Sequence, residues 1–579
     1  MAWLKAAAAA VAAVLSLGAA APDASEVGYT VSPEMNAAGL AALDVTVRLR
    51  ADASGVTRLE LPDRSAGASD LWRYLQDIRV DGAASVDEDG PAFRVVRSVP
   101  SAPLTVRYRV VSAFDRDPDA NTQETYKPAI RPRWFWVYGE ALFLRPQGDG
   151  HVARFAWRGA PRGFPFASDL EHAGAKPMAM DDLFQSVLVG GPDLKLFKRA
   201  AGGPLRIAVI GQYPFTDETF ANTVTRIVAG ERAFWRATEG PFLVVLAPLK
   251  PTLGRRSTRG EGRGDAFAIM TTPDVSETVL KATLAHEYFH TWDPRRLGRM
   301  YEGDHERAAY WFSEGFTDFY AWRLLLRSGE YDLKTFAGTW NDMLLAYANS
   351  PVREAPGSRI VQDFWKDRSV EKLPYQRGAI MAARWEGELR NRSHGRVDLD
   401  DVMRAMQVRA KALGPASPKA PDLFVETARG FGLEVGPEVE AAMKDGAPAL
   451  LPKDAFGACL PVTTVTIPAF DYGFDIDATY RTNTVTGVRR DSAAFAAGLR
   501  DGMTYVHRES GRPGDSRQLL VLRVKADGAE RLISYSAAGK SLITLQQIAV
   551  PPDLTPAQRT TCAVEAGGLA PTPGAAGSR

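Results

Sequence analysis

The sequence predicts a multidomain protein in which two β-rich regions flank a mixed α+β region. Residues 25–215 alternate apolar and polar side chains between turn residues, as in 43–49, and this period of two is typical of half-buried strands. In residues 216–455 the apolar residues recur with the period of an α-helix, and residues 465–552 return to a strand-like pattern. We therefore expect an N-terminal β-sandwich, an α+β domain and a C-terminal β domain.

The two ends of the chain differ from the rest in composition. Lys5, an apolar run over 6–17 and the small residues that follow are typical of an export signal, which we predict over 1–24. An Ala-rich helix of the mature protein is the alternative. The run is too short to span a bilayer, and no later apolar stretch is long enough. Residues 553–579, rich in Pro, Gly and Ala, are predicted to form a flexible tail.

Charge and cysteine content narrow the possible partners and compartments. The 579 residues include 70 Lys and Arg against 69 Asp and Glu, a balance that gives no reason to expect nucleic acid as a partner. We expect an exported protein, periplasmic or secreted, with no membrane span once the signal is removed. In an oxidising compartment Cys459 and Cys562 can pair, and two free thiols are the alternative.

The strongest chemical signal is the segment His286-Glu-Tyr-Phe-His290. On a helix, positions i and i+4 share a face, so both imidazoles can reach one ion. Glu287, one step around the helix, can reach a water at the ion rather than the ion itself, which is the place of a general base. Imidazole and carboxylate ligands with one open position suit Zn²⁺. The pattern predicts a zinc site.

A third ligand is expected from the segment that runs from Trp311 to Asp318. A catalytic zinc takes three protein ligands, and Glu314 on a neighbouring helix supplies the third, with Glu302 and Glu306 as alternatives. Asp318 follows Glu314 by four residues and therefore lies on the same helical face. Asp318 can accept a hydrogen bond from the outer nitrogen of a ligand histidine, or it is an ordinary surface carboxylate.

Three helices are expected to carry these residues. The first is predicted over 274–292, because Asp274 and Glu277 have the spacing of a capping box. The second is predicted over 307–327, before a glycine that suits a C-terminal cap. The third is predicted to begin near residue 375 and to end near residue 390.

Together these segments resemble the glycyl aminopeptidase family of zinc metallopeptidases, which are thermolysin-like gluzincins. The resemblance rests on the run 286–296, on Glu314-Gly-Phe-Thr and on Tyr375-Gln-Arg-Gly. It implies an N-terminal β domain, a thermolysin-like catalytic domain over 216–455 and a C-terminal PDZ domain over 465–552. Residues 485–503 are similar to the core signature of PDZ domains, with Ala493 where proline is usual.

The resemblance also implies an activity. Enzymes of this family remove small N-terminal residues such as Gly or Ala, and Tyr375 would stabilise the oxyanion of the transition state. Family members hold the substrate amine with the acidic residue of a Gly-Gly-Leu-Glu-His-like run. The corresponding stretch here is 259–266, in which Glu261 and Asp265 are the candidates.

We therefore expect an aminopeptidase in which zinc and Glu287 activate a water for attack on peptide or protein substrates. The substrate is expected to pair with 266–271 as an edge strand. Two alternatives stay open: a zinc endopeptidase, and a catalytically silent PDZ-type peptide-binding protein. The PDZ-like region either captures peptide C-termini near 472–474 or buttresses the catalytic domain.

Overall fold

The computed structural model describes residues 26–568, apart from 66–67, 121, 123–124, 174–175, 238 and 253–255. The export signal predicted over 1–24 lies outside these residues. Within the described part of the chain, no helix has the length and apolar content needed to cross a membrane.

The strands follow one another in chain order as β1 Glu26–Asn36, β2 Gly39–Arg50, β3 Val56–Glu60, β4 Leu75–Asp81, β5 Ala83–Glu88, β6 Phe93–Ser98, β7 Pro103–Val110, β8 Ala129–Arg131, β9 Trp134–Tyr138, β10 Arg145–Pro146, β11 Val152–Trp157, β12 Phe166–Ser168, β13 Met178–Ala179, β14 Val187–Gly190, β15 Lys195–Ala200, β16 Pro204–Val209, β17 Phe242–Pro248, β18 Thr258–Arg263, β19 Ala266–Thr271, β20 Val462–Phe470, β21 Thr504–Ser510, β22 Leu519–Ala526, β23 Ala529–Ser536 and β24 Ala538–Ile548.

The α-helices are α1 Gly139–Leu142, α2 Met180–Phe184, α3 Asp217–Phe234, α4 Glu277–Phe289, α5 Thr317–Arg327, α6 Leu333–Asn349, α7 Gly357–Asp363, α8 Arg368–Ser393, α9 Leu399–Leu413, α10 Ala420–Gly430, α11 Gly436–Val439, α12 Ile476–Thr482, α13 Ala493–Ala496 and α14 Pro556–Gly567. Short 3₁₀-helices span Leu71–Tyr74, Asp169–Ala173, Gly303–Ala309 and Gly414–Ala416, and π-helical turns span Trp311–Phe316 and Glu440–Lys444.

The described chain forms two compact units. The first comprises residues up to 112 together with 139–162 and 173–185, and the second comprises 113–138, 163–172 and everything from 186 onward. The predicted boundary at residue 215 therefore does not coincide with the division between the units. Strands β8, β9, β12 and β14 belong to the second unit because their apolar side chains pack on its five-stranded sheet, of which β15 and β16 are part.

The first unit contains a six-stranded sheet in the order β13-β11-β1-β2-β7-β4 and a four-stranded sheet in the order β10-β3-β6-β5. In β2 and β7 the predicted alternation is confirmed, since Val45 and Val47 are buried and pair with the buried residues Tyr108 and Val106.

The second unit is built on a five-stranded sheet in the order β15-β16-β17-β19-β18. One face packs against α3 and α4 through residues such as Val244 and Phe267. The other face packs against the sheet β12-β14-β9-β8 through residues such as Val245 and Ala268. Both faces of β17 are therefore buried, which explains why its sequence is continuously apolar.

The expectation that 266–271 forms the edge of this sheet is wrong. Residues 258–263 form β18 on its outer side, with Arg263 opposite Ala266. Gly264 and Asp265 make the two-residue turn between the strands, and Gly264 supplies the positive φ that such a hairpin requires. Residues 258–263, rather than 266–271, therefore lie at the end of the sheet order.

The first and third predicted helices exist, but their starting residues differ from the expectation. Ser276, rather than Asp274, caps α4 by accepting a hydrogen bond from the amide of Val279, while Asp274 pairs with Arg256 at 3.0 Å. Helix α8 begins at 368, before the predicted position 375, because Asp367 caps it.

The second predicted helix is divided into three kinds of helical turn. A 3₁₀-helix over Gly303–Ala309 precedes the π-helical turn Trp311–Phe316, and regular α-helix follows only in α5. The π-helical turn shifts the side chains that follow it around the helix axis, a feature that is frequent at functional sites.

The C-terminal region consists of the paired strands β20 and β24 and the three-stranded sheet β21-β22-β23. The predicted loose tail is wrong for residues 553–567, because they include α14. Cys562 of α14 forms a disulfide with Cys459, and the C-terminal carbonyls of the helix accept hydrogen bonds from Arg323 and Arg327 of α5.

The π-helical turn and α8 cross at very short range, at Gly315 and Gly378. A Cβ atom added at Gly315 would lie 2.5 Å from the Cα of Gly378, and one added at Gly378 would collide with the carbonyl oxygen of Trp311. Only glycine permits this separation of the two backbones.

We predict that Gly378→Ala lowers the free energy of unfolding by more than about 2 kcal/mol, because the added methyl group forces the helices apart. The matched control is Gly338→Ala in α6, where an added Cβ meets no atom within 4 Å. That control should stabilise the helix by about 0.5–1 kcal/mol. Thermal and urea unfolding measure both changes, and an unchanged midpoint for Gly378→Ala would contradict the tight crossing.

Candidate metal centre

Three nitrogen and oxygen atoms converge where α4 meets the π-helical turn. The Nε2 atoms of His286 and His290 lie 3.1 Å apart, and Oε2 of Glu314 lies 3.3 Å and 3.6 Å from them. A tetrahedral metal with bonds of about 2.05 Å separates its ligand atoms by about 3.3 Å. The three distances therefore fit one zinc ion, and among the described residues these three form the group of His, Cys, Asp and Glu that can hold a metal.

The outer nitrogens of the two rings fix which nitrogen faces the centre. Nδ1 of His290 lies 2.8 Å from the backbone oxygen of Asp293, which can only accept a hydrogen bond, so Nδ1 carries the proton. Nδ1 of His286 lies 2.9 Å from the carboxylate of Asp318, as the sequence predicted. Both Nε2 atoms then present lone pairs to one another at 3.1 Å, an arrangement that a cation between them stabilises.

The two alternative third ligands lie elsewhere. Glu302 is exposed and forms an ion pair of 3.3 Å with Lys419. Burial, together with the nearby charge of Glu314, raises the pKa of Glu306. Glu306 is not one of the three converging residues. Glu314 is the carboxylate that the fold brings to the histidines, and the histidines hold its pKa below the ordinary value although burial opposes them.

Glu287 lies beside the three ligands and is not one of them. Burial, opposed by the two histidines, raises its pKa to about 7, a value that lets a carboxyl group both accept and return a proton near neutral pH. Its carboxyl group packs against β18, since a Cβ atom added at Gly260 would lie 2.7 Å from Cδ of Glu287. The strand therefore holds the proposed base in place by backbone contact.

Tyr375 reaches the same centre from α8. Its ring stacks on the ring of His286 with centroids 6.2 Å apart. Burial, the charges of Glu314 and Asp318 and a hydrogen bond to Glu314 hold the pKa of Tyr375 well above its ordinary value. The hydroxyl group consequently stays protonated and can donate a hydrogen bond to a developing oxyanion.

The two candidates for binding the substrate amine have different surroundings. Glu261 accepts a hydrogen bond of 2.7 Å from the hydroxyl of Tyr126 and lies 3.3 Å from Arg263, and its charge contributes to the raised pKa of Glu287. Asp265 lies in the hairpin turn, and its backbone oxygen accepts a hydrogen bond from Leu243. Glu261 is therefore the candidate close to the base.

Sequence reasoning did not identify Gly260 and Gly262 as part of the site. Both face α4, because an added Cβ at Gly262 would lie 3.6 Å from Cβ of His290. Glycines at positions i and i+2 of a strand are a signal of close backbone approach on one face, and this signal was available in the sequence. Tyr126, which lies far from the motif in sequence, left no comparable signal.

The part of the chain that carries this centre is similar to a known protein family. Residues 280–368 match the family model of the M61 glycyl aminopeptidases. The matched segment contains His286, Glu287, His290, Glu314 and Asp318, whereas Glu261 and Tyr375 lie outside it. The match supports the interpretation of the chain as a metallopeptidase. No curated protein sequence matches the chain.

Solved structures also align with the chain at low sequence identity. An aminopeptidase N family protein from Idiomarina loihiensis is 15% identical over 93% of this chain and 100% of its own, with a TM-score of 0.65. An M1 zinc metallopeptidase from Deinococcus radiodurans is 16% identical over 74% and 94% of the two chains, with a TM-score of 0.41. Yeast LTA4 hydrolase in complex with bestatin is 15% identical over 74% and 68%, also with a TM-score of 0.41. The first of these likenesses shows a shared fold.

We predict that Gly260→Ala lowers kcat by about 100-fold, the cost of displacing a catalytic group by about 1 Å, while zinc content stays unchanged. The matched control is Gly262→Ala, where the added methyl group makes only an ordinary contact. Steady-state kinetics and metal analysis of both variants test this. Equal kcat values for the two variants would show that the contact between β18 and Glu287 is unimportant.

We predict that Asp318→Asn weakens zinc binding by about 10- to 100-fold, because His286 loses the charged acceptor that orients its ring. Competition with a chromophoric chelator measures the change. Glu302→Gln serves as the control, since Glu302 is exposed and pairs with Lys419. Weaker binding in the control than in Asp318→Asn would reverse the assignment of these two carboxylates.

Proposed function

We propose that the protein is a zinc aminopeptidase that removes small N-terminal residues, Gly or Ala, from peptides. The observation that carries the proposal is the convergence of His286, His290 and Glu314 with Glu287 beside them and outside the ligand set. The preference for small residues follows from the resemblance to glycyl aminopeptidases.

The ligand set fits zinc by donor type and by spacing. When bound, zinc supplies a Lewis acid that polarises the scissile carbonyl and lowers the pKa of a water molecule. Glu287 takes the proton from the attacking water and returns it to the leaving amine, for which a pKa of about 7 is suited. Tyr375 donates a hydrogen bond to the oxyanion from its protonated hydroxyl.

Substrate binding is assigned to the edge strand β18. The peptide adds a strand at the β18 edge of the sheet, where the glycines at 260 and 262 let the strand lie close to Glu287 and α4. Glu261 binds the free amine, since it is the acidic residue of this strand that lies nearest to the base. Tyr126 and Arg263 hold the carboxylate of Glu261 in position. An endopeptidase is the second candidate. Tyr126 and Arg263 already bind the carboxylate of Glu261, which leaves less of its bonding capacity for a substrate amine.

We predict that Glu287→Gln retains stoichiometric zinc and loses at least about 100-fold in kcat, the contribution of a general base. Hydrolysis of a pool of short free-amine peptides, followed by mass spectrometry, measures the change. Stepwise loss of N-terminal residues by the wild type, absent in the variant, is expected. Wild-type turnover in Glu287→Gln would remove Glu287 as the base.

The same peptides with acetylated N-termini separate the two peptidase classes. An aminopeptidase should not cleave them, and Glu261→Gln should raise KM for the free-amine peptides only. Internal cleavage of acetylated peptides at an equal rate would identify the endopeptidase instead.

For the C-terminal region we propose a PDZ-like domain that buttresses the catalytic unit. The side chain of Ser492 caps the short helix α13, in agreement with the signature around 485–503. The backbone of the segment near Tyr472 is already bonded within the chain: the amide of Gly473 donates to the carboxylate of Asp471 at 2.9 Å, and its carbonyl accepts from Arg489. A carboxylate cradle needs free amides, so these bonds favour buttressing over capture of C-termini.

Contacts with α6 support the same role. Asn341 exchanges two hydrogen bonds with the backbone of Ile548, and the amide of Phe470 donates to Asn349 at 2.8 Å. Leu345 packs against Ile467 and Leu545. These contacts fasten the strands β20 and β24 to the helical part of the second unit.

We also propose that the protein is exported to the periplasm or secreted. The disulfide between Cys459 and Cys562 supports this location, because such bonds persist in oxidising compartments. Detection of the mature N-terminus by mass spectrometry of the secreted or periplasmic fraction tests the proposal, and an intact residue 1 in the cytoplasm would contradict it.

A further inference from the structure

Tyr310 lies at the metal centre on the face of the chain that carries Glu314. Tyr310 has helical backbone angles (φ −63°, ψ −17°) and precedes Glu314 by four residues, so the two side chains share a face. Burial raises the pKa of Tyr310, and the charges of Glu314 and Glu261 contribute to this increase. The phenol group is therefore near both the carboxylate that completes the ligand set and the carboxylate proposed to bind the substrate amine.

The ring of Tyr310 is supported from behind. Phe364, which is 3% exposed, contacts the ring edge to face, with centroids 5.0 Å apart. Tyr310 itself is half-buried and packs against the core of the second unit. A close-packed core resists displacement, so the ring keeps its position when a substrate binds beside it.

The position of this ring matters because of the covalent structure of a peptide. In the proposed reaction, the amine of the first substrate residue binds Glu261, and the carbonyl group of the same residue lies at the metal held by Glu314. A single Cα atom joins these two groups, and the first side chain starts from that atom. The side chain must therefore extend from the narrow region between Glu261 and Glu314, which is the region that Tyr310 borders.

We propose that Tyr310 closes the pocket for the first side chain of the substrate and so restricts cleavage to Gly and Ala. Its ring leaves space for a hydrogen atom or a methyl group and collides with branched or aromatic side chains. The inference rests on the proposed aminopeptidase function and assigns its preference for small residues to one side chain of this protein. The ring, rather than the hydroxyl group, carries the effect.

Hydrolysis of the p-nitroanilides of Ala and Leu by variants of Tyr310 tests the proposal. In Tyr310→Ala and Tyr310→Leu the ratio of kcat/KM for Leu over Ala should rise at least about 10-fold, since one methylene group in an apolar pocket changes such a ratio by about 10- to 200-fold. Tyr310→Phe retains the ring and should keep the wild-type ratio. Tyr480→Ala, which removes from α12 a ring that contacts Tyr505, is the control for loss of an aromatic residue elsewhere and should also keep that ratio.

Zinc content and thermal unfolding of each variant separate loss of discrimination from loss of structure. A uniform fall in kcat/KM for both substrates in Tyr310→Ala and Tyr310→Leu, with zinc retained, would overturn the proposal. A Tyr310→Phe variant that accepts Leu as readily as Tyr310→Ala would also overturn it, because the hydroxyl group would then be responsible. Comparison of Ala-Gly with Ala-Leu dipeptides locates the pocket, and a changed preference for the second residue alone would contradict the assignment to the first.

Binding measurements separate this inference from the peptidase function. Isothermal titration of the zinc-loaded protein with L-alanine hydroxamate and L-leucine hydroxamate requires no turnover. The wild type should bind the alanine compound at least about 10-fold more tightly, and Tyr310→Ala should lose this difference. That pattern without peptide hydrolysis by the wild type would keep the pocket and refute the peptidase function. Peptide hydrolysis by a wild type that does not distinguish the two compounds would refute the pocket and keep the peptidase function.

Discussion

The crossing of the π-helical turn and α8 at Gly315 and Gly378 is the constraint on which the site depends. The two backbones approach too closely for any side chain at either position. Glu314 and Tyr375 precede this crossing on their respective helices, and both therefore point to the face of α4 that carries the two histidines. A wider crossing would move the third metal ligand and the hydroxyl group away from the histidines at the same time.

Support for the centre comes from backbone as well as from side chains. The carboxylate of Asp318 accepts a hydrogen bond from His286 and orients its ring. His290 is oriented by the backbone carbonyl oxygen of Asp293, which a mutation of the Asp293 side chain would not remove. Because Gly260 has no side chain, the backbone of β18 can pack directly against the carboxyl group of Glu287. The site is thus defined by close approaches of rigid elements, which is what a preorganised catalytic centre requires.

Local patterns in the sequence were sufficient to predict which residues converge at the candidate metal centre. His286 and His290 are four residues apart on one helix, so their shared face follows from helix geometry alone, and the spacing from Glu314 to Asp318 follows the same rule. The burial of strand β17 was also predictable, because a continuous apolar run indicates burial on both faces, whereas residues 266–271 were expected at the edge of the sheet and lie inside it. The cap at Ser276 was missed because Asp274 offered an equally good local pattern.

Features that depend on contacts distant in sequence could not be predicted. The crossing at Gly378 joins segments about sixty residues apart. Helix α14 lies in a stretch whose composition suggests a tail, and it is fixed by contacts distant in sequence: the disulfide at Cys562, arginines of α5 and Arg390 of α8. Composition does not report such tertiary restraints.

Two imidazole nitrogens and one carboxylate oxygen are expected to bind a single zinc ion, and X-ray absorption at the zinc edge of the purified protein measures this first shell. We expect one zinc per chain, with two imidazole nitrogens and oxygen ligands at about 2.0–2.2 Å, and loss of one oxygen ligand in Glu314→Ala. Stoichiometric zinc with sulfur ligands, or a first shell that is unchanged in Glu314→Ala, would contradict it.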